Sequence, residues 1–451
     1  MKDKIFREYD IRGKVPSDIN EEIAYKIGLG YGSFLQEFLN QDTCVVSHDN
    51  RVSSESLHEN LIKGLLETGL NVIDYGLTTT PMHYYARHIN NLFGIMITAS
   101  HNPSDENGFK FSFDKYANAR GIMVKDLKTY IDKGKFKEGK GTLEKKDIKE
   151  DYINYVINNL KFGKKRIKVV LDPANGVTTT IARDIFEKLN IDLTIINEES
   201  DGTFPNHHPD PTIENNLTQL KDKVKEINAD IGIGFDGDGD RIGIIDNLGN
   251  MVSIEAYGII ILRNIIDKVE NKKFLYDPKC SDNFKDEVLR LGGTPVICRT
   301  GTSYTQEKVL KENIPFGIQY VGHISLNDRL FSTESAMYSA LRLIEILSKT
   351  DKTLHELVET VPTYYNTPEQ KFKSDDDKKY EVIENIKKYC LEKNYAFSEI
   401  DGLKVMFKDS WAYVRASNTG PNITLRCESK DKNNLDNLVK LFTTLIDIYN
   451  K

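Results

Sequence analysis

The chain has 451 residues, 39% hydrophobic and 29% charged, a balance that excludes a disordered or fibrous protein and leaves material for several cores. At roughly 150 residues per domain, the length implies about three domains, with two to four in range. A formal net charge of −7 argues against nonspecific binding to nucleic acid or an anionic membrane, yet allows a small anionic ligand in a locally cationic cleft. Met1 to Asp10 carries charges throughout and no apolar core, so no signal peptide is expected. The most apolar stretch, Ile259 to Ile266, is broken by Arg263 and Asn264 and is too short to span a bilayer. Five scattered cysteines without a CxxC pair predict a reducing, cytoplasmic location and no zinc site.

In chain order, the first two-thirds repeat one theme: an apolar strand, a turn containing Asp, a helical segment and a second apolar strand. Cys44 to Asp49 is followed by Leu70 to Tyr75, Ile167 to Asp172 by Ile191 to Ile196, and Phe274 to Asp277 by Thr294 to Cys298. Each set has the length of a βαβ crossover, so three related α/β domains with parallel or mixed sheets are expected. The polar runs Lys125 to Asp151 and Asn366 to Lys379 read as linkers. The tail predicts a smaller α+β domain: helix Tyr380 to Leu391, short strands at Gly402 to Phe407, Trp411 to Arg415 and Asn422 to Glu428, then helix Asn434 to Ile448. The expected domains are 1–148, 149–251, 252–365 and 366–451.

Three clusters carry chemistry. Thr98-Ala99-Ser100-His101-Asn102-Pro103 follows the apolar strand Phe93 to Ile97, which puts Ser100 on a loop at the sheet's edge, where α/β sheets bind ligands. A serine hydroxyl needs a base or metal to act as a nucleophile, and His101 is adjacent. An ordinary loop with an Asn-Pro turn fits the same residues.

The second cluster is Asp236-Gly237-Asp238-Gly239-Asp240-Arg241, between apolar strands Ile231 to Phe235 and Ile242 to Ile245. Three carboxylates at alternate positions can fold their oxygens around one hard cation. The accidental GxGxxG of Gly232, Gly234 and Gly237 is not a dinucleotide site, because three carboxylates would face the pyrophosphate and a strand follows where a helix is needed. Nor is it an EF-hand, since Arg241 holds the place of the loop glycine and Asn247 that of the closing Glu. So few protein oxygens suit Mg²⁺ completed by a phosphate oxygen and water. The third cluster, Arg415-Ala416-Ser417-Asn418-Thr419-Gly420-Pro421, gathers donors suited to a phosphate dianion, with Arg415 able to bind it bidentately. A plain acidic turn and a polar surface turn are the bland alternatives for these two clusters.

Together these segments resemble the α-D-phosphohexomutases, in particular the bacterial phosphomannomutase/phosphoglucomutase branch. The likeness runs from Phe6-Arg7-Glu8-Tyr9-Asp10-Ile11-Arg12-Gly13 through the Ser100 loop to Asn107-Gly108-Phe109-Lys110. It resumes at Asp172-Pro173-Ala174-Asn175-Gly176, at Phe204-Pro205-Asn206-His207-His208-Pro209-Asp210-Pro211 and at the Asp236 loop, and ends with the Arg415 loop. The resemblance implies three α/β domains and a fourth like the TATA-binding-protein fold around a central cleft. It implies that Ser100 is phosphorylated and shares Mg²⁺ with Asp236, Asp238 and Asp240. Arg12 and Arg241 would stabilise the transferring phosphoryl group, Lys110 and His101 would move protons, and Tyr9 would line the cleft. Arg415, Ser417, Asn418 and Thr419 would hold the phosphate that is not reacting. The implied reaction interconverts hexose 1-phosphate and hexose 6-phosphate, of mannose or glucose, through a hexose 1,6-bisphosphate. The expected partner is a small phosphosugar, and the expected state a monomer or small homo-oligomer.

Two loops depart from the family pattern. Gly317-Ile318-Gln319-Tyr320-Val321-Gly322-His323 stands where Gly-Glu-x-Ser-Gly-His is usual, so Gln319 replaces a carboxylate and Val321 a hydroxyl. Gln319 can still bind a sugar hydroxyl, with His323 beside it. Val321 cannot, and a buried hydroxyl left unpaired costs about 1–3 kcal/mol. Arg299-Thr300-Gly301-Thr302-Ser303 resembles the branch's Lys-Thr-Gly-His-Ser, keeping a cation in Arg299 but losing the His. The mutase parts are complete while the sugar-reading parts differ. That leaves a mutase for another sugar phosphate, a Mg²⁺-dependent phosphosugar phosphatase and a non-catalytic sugar-phosphate binder as alternatives.

Overall fold

The apolar segments pair as crossover units require. In the structure, a computed structural model that describes all residues but Tyr116, Ser332, Thr333, Asp376, Asp377, Asn418 and Thr419, strand Thr43–His48 runs parallel to Asn71–Leu77 and to Phe93–Ile97. Ile167–Asp172 is likewise parallel to Ile191–Ile195, and Lys273–Tyr276 to Thr294–Ile297. Each of these three sheets gains antiparallel strands at one end. Ile11–Lys14 and Glu106–Phe111 extend the first, Ile242–Asp246 and Met251–Val252 the second, and Ile324–Leu326 the third. The three sheets are therefore mixed. The last sheet is antiparallel throughout and packs its buried face on helices Lys378–Glu392 and Lys432–Tyr449. The chain is an α/β protein with a C-terminal α+β unit.

The apolar stretch at Ile259 is part of helix Ile254–Ile265, which is buried on nearly every side, as is helix Ala336–Leu347. An all-round apolar helix demands burial on all faces. These two helices meet that demand by joining the second and third sheets into one continuous apolar cluster. Among the described residues no helix is long and apolar enough to cross a membrane.

Both polar runs read as linkers contain regular structure. The first includes most of helix Ile122–Lys133, whose Val124, Leu127 and Ile131 are buried at helical spacing beneath a charged face, and the edge strand Leu143–Lys145, exposed at every residue. The second includes strand Gln370–Lys373, half-exposed and paired with Asn422–Ser429. Charged residues on a one-sided helix or an edge strand erase the contrast on which a linker assignment relies.

Candidate active site

The Ser100 loop departs from a central strand, Phe93–Ile97, and turns at once. Ser100 has φ +55, a strained conformation for a residue with a side chain, and its amide donates to Thr98 Oγ1 at 2.8 Å. The loop is not exposed as its polar sequence suggests. Ser100 is only 1% accessible because the Asp236 loop lies on it, and its hydroxyl donates to Asp236 Oδ2 at 2.8 Å. Gly237 permits this approach, since a Cβ there would sit 2.5 Å from the Ser100 carbonyl oxygen. His101 is half-buried, with Nδ1 3.3 Å from Ser100 Oγ. Burial first, and then Arg241 and Arg12, hold the imidazole well below its usual pKa and so neutral.

Arg51 fixes the loop from behind, and sequence reasoning missed it. Its guanidinium donates to the carbonyls of Ser100 (2.8 Å), Asn102 (2.7 Å), Pro103 (2.7 Å) and Glu106 (2.9 Å), and pairs with Asp49 at 3.3 Å. An Arg two residues after a strand-terminal Asp was the available signal. Arg12 holds the other side, donating to Ala99 O at 3.0 Å and Asn102 Oδ1 at 2.9 Å while Asp10 takes its Nε.

The three aspartates of the second cluster are buried at the turn between antiparallel strands Ile231–Phe235 and Ile242–Asp246. One carboxylate oxygen from each lies within 4.8 Å of the others. Asp236 Oδ1 accepts three backbone N–H groups, from Gly239, Asp240 and Arg241 at 3.0–3.1 Å, which fixes the turn. Lys110 donates to Asp238 at 2.6 Å and Asp240 at 2.8 Å, and Thr80 donates to Asp238 at 2.7 Å. Burial opposes the Lys110 charge, but these two carboxylates raise its pKa well above the lysine range. Burial, with Asp240 and Asp238 nearby, pushes Asp236 well above the carboxylate range. Asp238 Oδ1 and Asp240 Oδ1 are buried without a hydrogen-bond partner among the described residues. Two orphaned carboxylate oxygens beside a third carboxylate and a serine hydroxyl fit a hard divalent cation.

A second grouping, Asp240, His323 and Glu334, has ligand atoms equally close, but its donors are engaged. Arg241 Nε donates to His323 Nε2 at 3.0 Å, so the proton belongs on Nδ1, which donates to the Asp240 carbonyl at 3.1 Å. Burial pushes this imidazole down to about 4. The two Glu334 oxygens accept the side-chain amides of Gln319 (2.9 Å) and Gln306 (3.1 Å). Gln319 Oε1 takes the Gly301 amide at 3.3 Å, so both ends of the Gln319 side chain are held within the protein.

A single cleft of about 1380 Å³ is lined by residues from all four sheet units, among them Tyr9, Ser100, Lys110, Arg241, His323 and Arg415. Thr300, Gln319, Val321 and Ser417 also line it. Arg299 instead packs over the Tyr304 ring, its Nε donating to Asp401 at 3.2 Å. The expected phosphate-loop residues Asn418 and Thr419 lie outside the described residues. Tyr9 donates its hydroxyl to Thr300 O at 2.8 Å. Gly301, at φ +129, has no room for a Cβ, which would fall 2.7 Å from the Tyr9 ring.

Comparison with known proteins shows the family to which the chain is similar. Descriptions of Phosphoglucomutase/phosphomannomutase, alpha/beta/alpha domains I, II and III match residues 3–138, 150–249 and 255–365, and that of the C-terminal domain matches 369–444. A Phosphomannomutase/phosphoglucomutase of Pseudomonas putida is 35% identical over 448 residues, covering 98% of this chain and 96% of the relative. The crystal structure of a phosphoglucomutase/phosphomannomutase family protein from Burkholderia thailandensis superposes with a TM-score of 0.92 at 29% identity, covering 100% of this chain and 98% of that one. An N-acetylphosphoglucosamine mutase of Aspergillus fumigatus, solved with GlcNAc-6P and magnesium, shares the fold at 13% identity, with a TM-score of 0.63 and coverage of 100% and 97%.

Proposed function

The chain belongs to the phosphoglucomutase/phosphomannomutase family, an enzyme class of intramolecular phosphotransferases, and on that premise we propose that it interconverts hexose 1-phosphate and hexose 6-phosphate through phosphorylated Ser100. The observation that carries this reading is the 2.8 Å contact of Ser100 Oγ with Asp236, in a cleft that also holds Arg415. The phosphoryl group moves from Ser100 Oγ to the free hydroxyl of the sugar; one P–O bond forms as the other breaks, giving a 1,6-bisphosphate. That intermediate turns over, and Ser100 takes back the other phosphoryl group. Arg12 and Arg241, which line the cleft with Ser100, would offset the negative charge of the transferring group, and Lys110, beside Asp238 and Asp240, would serve with His101 in proton transfer. Neutral His101, 3.3 Å from Ser100 Oγ, is placed to accept a hydroxyl proton. Asp236, Asp238, Asp240 and Ser100 would hold Mg²⁺, which when bound neutralises charge on the phosphoryl oxygens. Arg415 and Ser417 would anchor the phosphate that does not react.

The proposed domain limits are 1–148, 149–251, 252–365 and 366–451, and five buried free cysteines support a cytoplasmic location. Mannose and glucose phosphates are the favoured substrates, acting with a trace of the matching 1,6-bisphosphate. The test is a panel of hexose 1-phosphates primed with that bisphosphate, run on the wild type and on Ser100→Ala. Interconversion by the wild type that vanishes in the folded variant is expected. Near-normal turnover in Ser100→Ala would exclude the covalent route.

A further inference from the structure

Asp401 sits on the connection between strands Ala396–Ser398 and Leu403–Met406, at φ +60 and followed by Gly402 at φ +114. This left-handed pair turns the side chain inward, where it is 3% exposed. The turn lies close against the strand of the phosphate loop, since a Cβ on Gly402 would come within 2.9 Å of Val414 O and 3.0 Å of Arg415 Cβ. The carboxylate there serves two loops at once. Its Oδ2 is 3.1 Å from Arg415 Nη1 and accepts the Thr300 amide at 3.2 Å; its Oδ1 accepts Arg299 Nε at 3.2 Å. The Tyr413 hydroxyl donates to the Asp401 carbonyl and fixes the turn. Arg415 and Thr300 line the cleft, and Asp401 stands behind them.

We propose that Asp401 is a positioning residue: it holds the Arg415 guanidinium in register with the 299–301 loop, so that the phosphate-reading and sugar-reading sides of the cleft keep one separation. The inference rests on Arg415 anchoring the non-reacting phosphate. A guanidinium is a rigid fork, and a carboxylate that takes one Nη fixes the direction in which the remaining N–H groups point. The 299–301 loop is in turn fixed on its other side, by Tyr9 on Thr300 O and by Gln319 on the Gly301 amide. A hexose phosphate has a rigid ring and only a short linkage to its phosphate, which bounds the span between the two, so two loops that read both ends of it must not drift far apart. The separation counts twice in a reaction that takes the sugar in both orientations.

The test compares the full-length wild type with Asp401→Asn. Asparagine tolerates the left-handed backbone and still accepts from Thr300, but removes the charge that orients Arg415. Calorimetry with glucose 6-phosphate and with inorganic phosphate gives Kd, steady-state interconversion gives KM and kcat, and a thermal melt reports folding. Both Kd values and KM are expected to rise roughly tenfold, with kcat changed by less than about twofold. Unchanged Kd values, with or without a lower melting temperature, would make Asp401 a structural brace and overturn the proposal. Lower Kd values would make its carboxylate a competitor of phosphate and overturn it equally. Should Asp401→Asn not fold, Asp401→Glu keeps the charge but displaces it from Arg415 by one methylene; a smaller rise in Kd supports the proposal, and no rise overturns it. A wild type that binds glucose 6-phosphate without interconverting it would defeat the mutase reading, and the Kd comparison would still decide the role of Asp401.

Discussion

Replacing Arg51 by lysine isolates the support of the nucleophile loop from the chemistry of the cleft. Arg51 is 2% exposed and is not part of the cleft wall. Its two Nη atoms satisfy four carbonyl oxygens between Ser100 and Glu106, and its Nε faces Asp49. Lysine keeps the charge, so Asp49 is not left as an isolated buried anion, but a single ammonium cannot reach carbonyls arranged around a planar fork. At about 1.5–3 kcal/mol for each hydrogen bond from a charged donor, losing two of the four costs roughly 3–6 kcal/mol of loop or global stability. A displacement of about 1 Å at a reacting atom lowers turnover on the order of a hundredfold. The expected result for Arg51→Lys is therefore a kcat about a hundred times lower with KM near the wild-type value, together with a lower urea midpoint. Wild-type kcat in a variant whose urea midpoint has fallen would refute the claim that these four bonds set the Ser100 geometry.

Two further outcomes follow from the site and its supports. Asp238→Asn replaces a buried carboxylate whose Oδ1 has no hydrogen-bond partner among the described residues, so Mg²⁺ affinity by calorimetry should fall at least about tenfold, with activity falling alongside; unchanged affinity would remove Asp238 from the ligand set. His207 contacts Asp172 at 2.9 Å, and although burial lowers its pKa, that hydrogen bond and charge raise it on balance. A raised histidine stabilises fully below its unfolded pKa and loses that contribution as pH rises through the folded value, so His207→Gln should destabilise more at about pH 6 than at about pH 8. An equal loss at both pH values in thermal melts would disprove the linkage.

What the sequence makes legible is what lies close along the chain. The βαβ strands, the three aspartates at alternate positions and the Ser100 loop each declare themselves within a few residues, and the structure carries them at those places. The contact between the two loops is of another kind. It depends on how the first and second sheets pack and on the bare backbone of Gly237, which no local pattern reports. Arg51 and Asp401 escape for the same reason, because an Arg or Asp at a turn is unremarkable until its partners, up to about a hundred residues away in sequence, are in place.

Gln319 shows how far substitution reasoning reaches. Read against the family pattern, it is a sugar-facing carboxylate turned into an amide, and the change looks like altered specificity. In the folded chain its amide bridges Gly301 and Glu334, and Gln306 holds the other Glu334 oxygen. Burial, and then the charge of Asp240, push Glu334 well above the carboxylate range. The substitution therefore belongs to the packing beneath the cleft as much as to what the cleft binds. Val321 lines the cleft with a side chain that can offer no hydrogen bond.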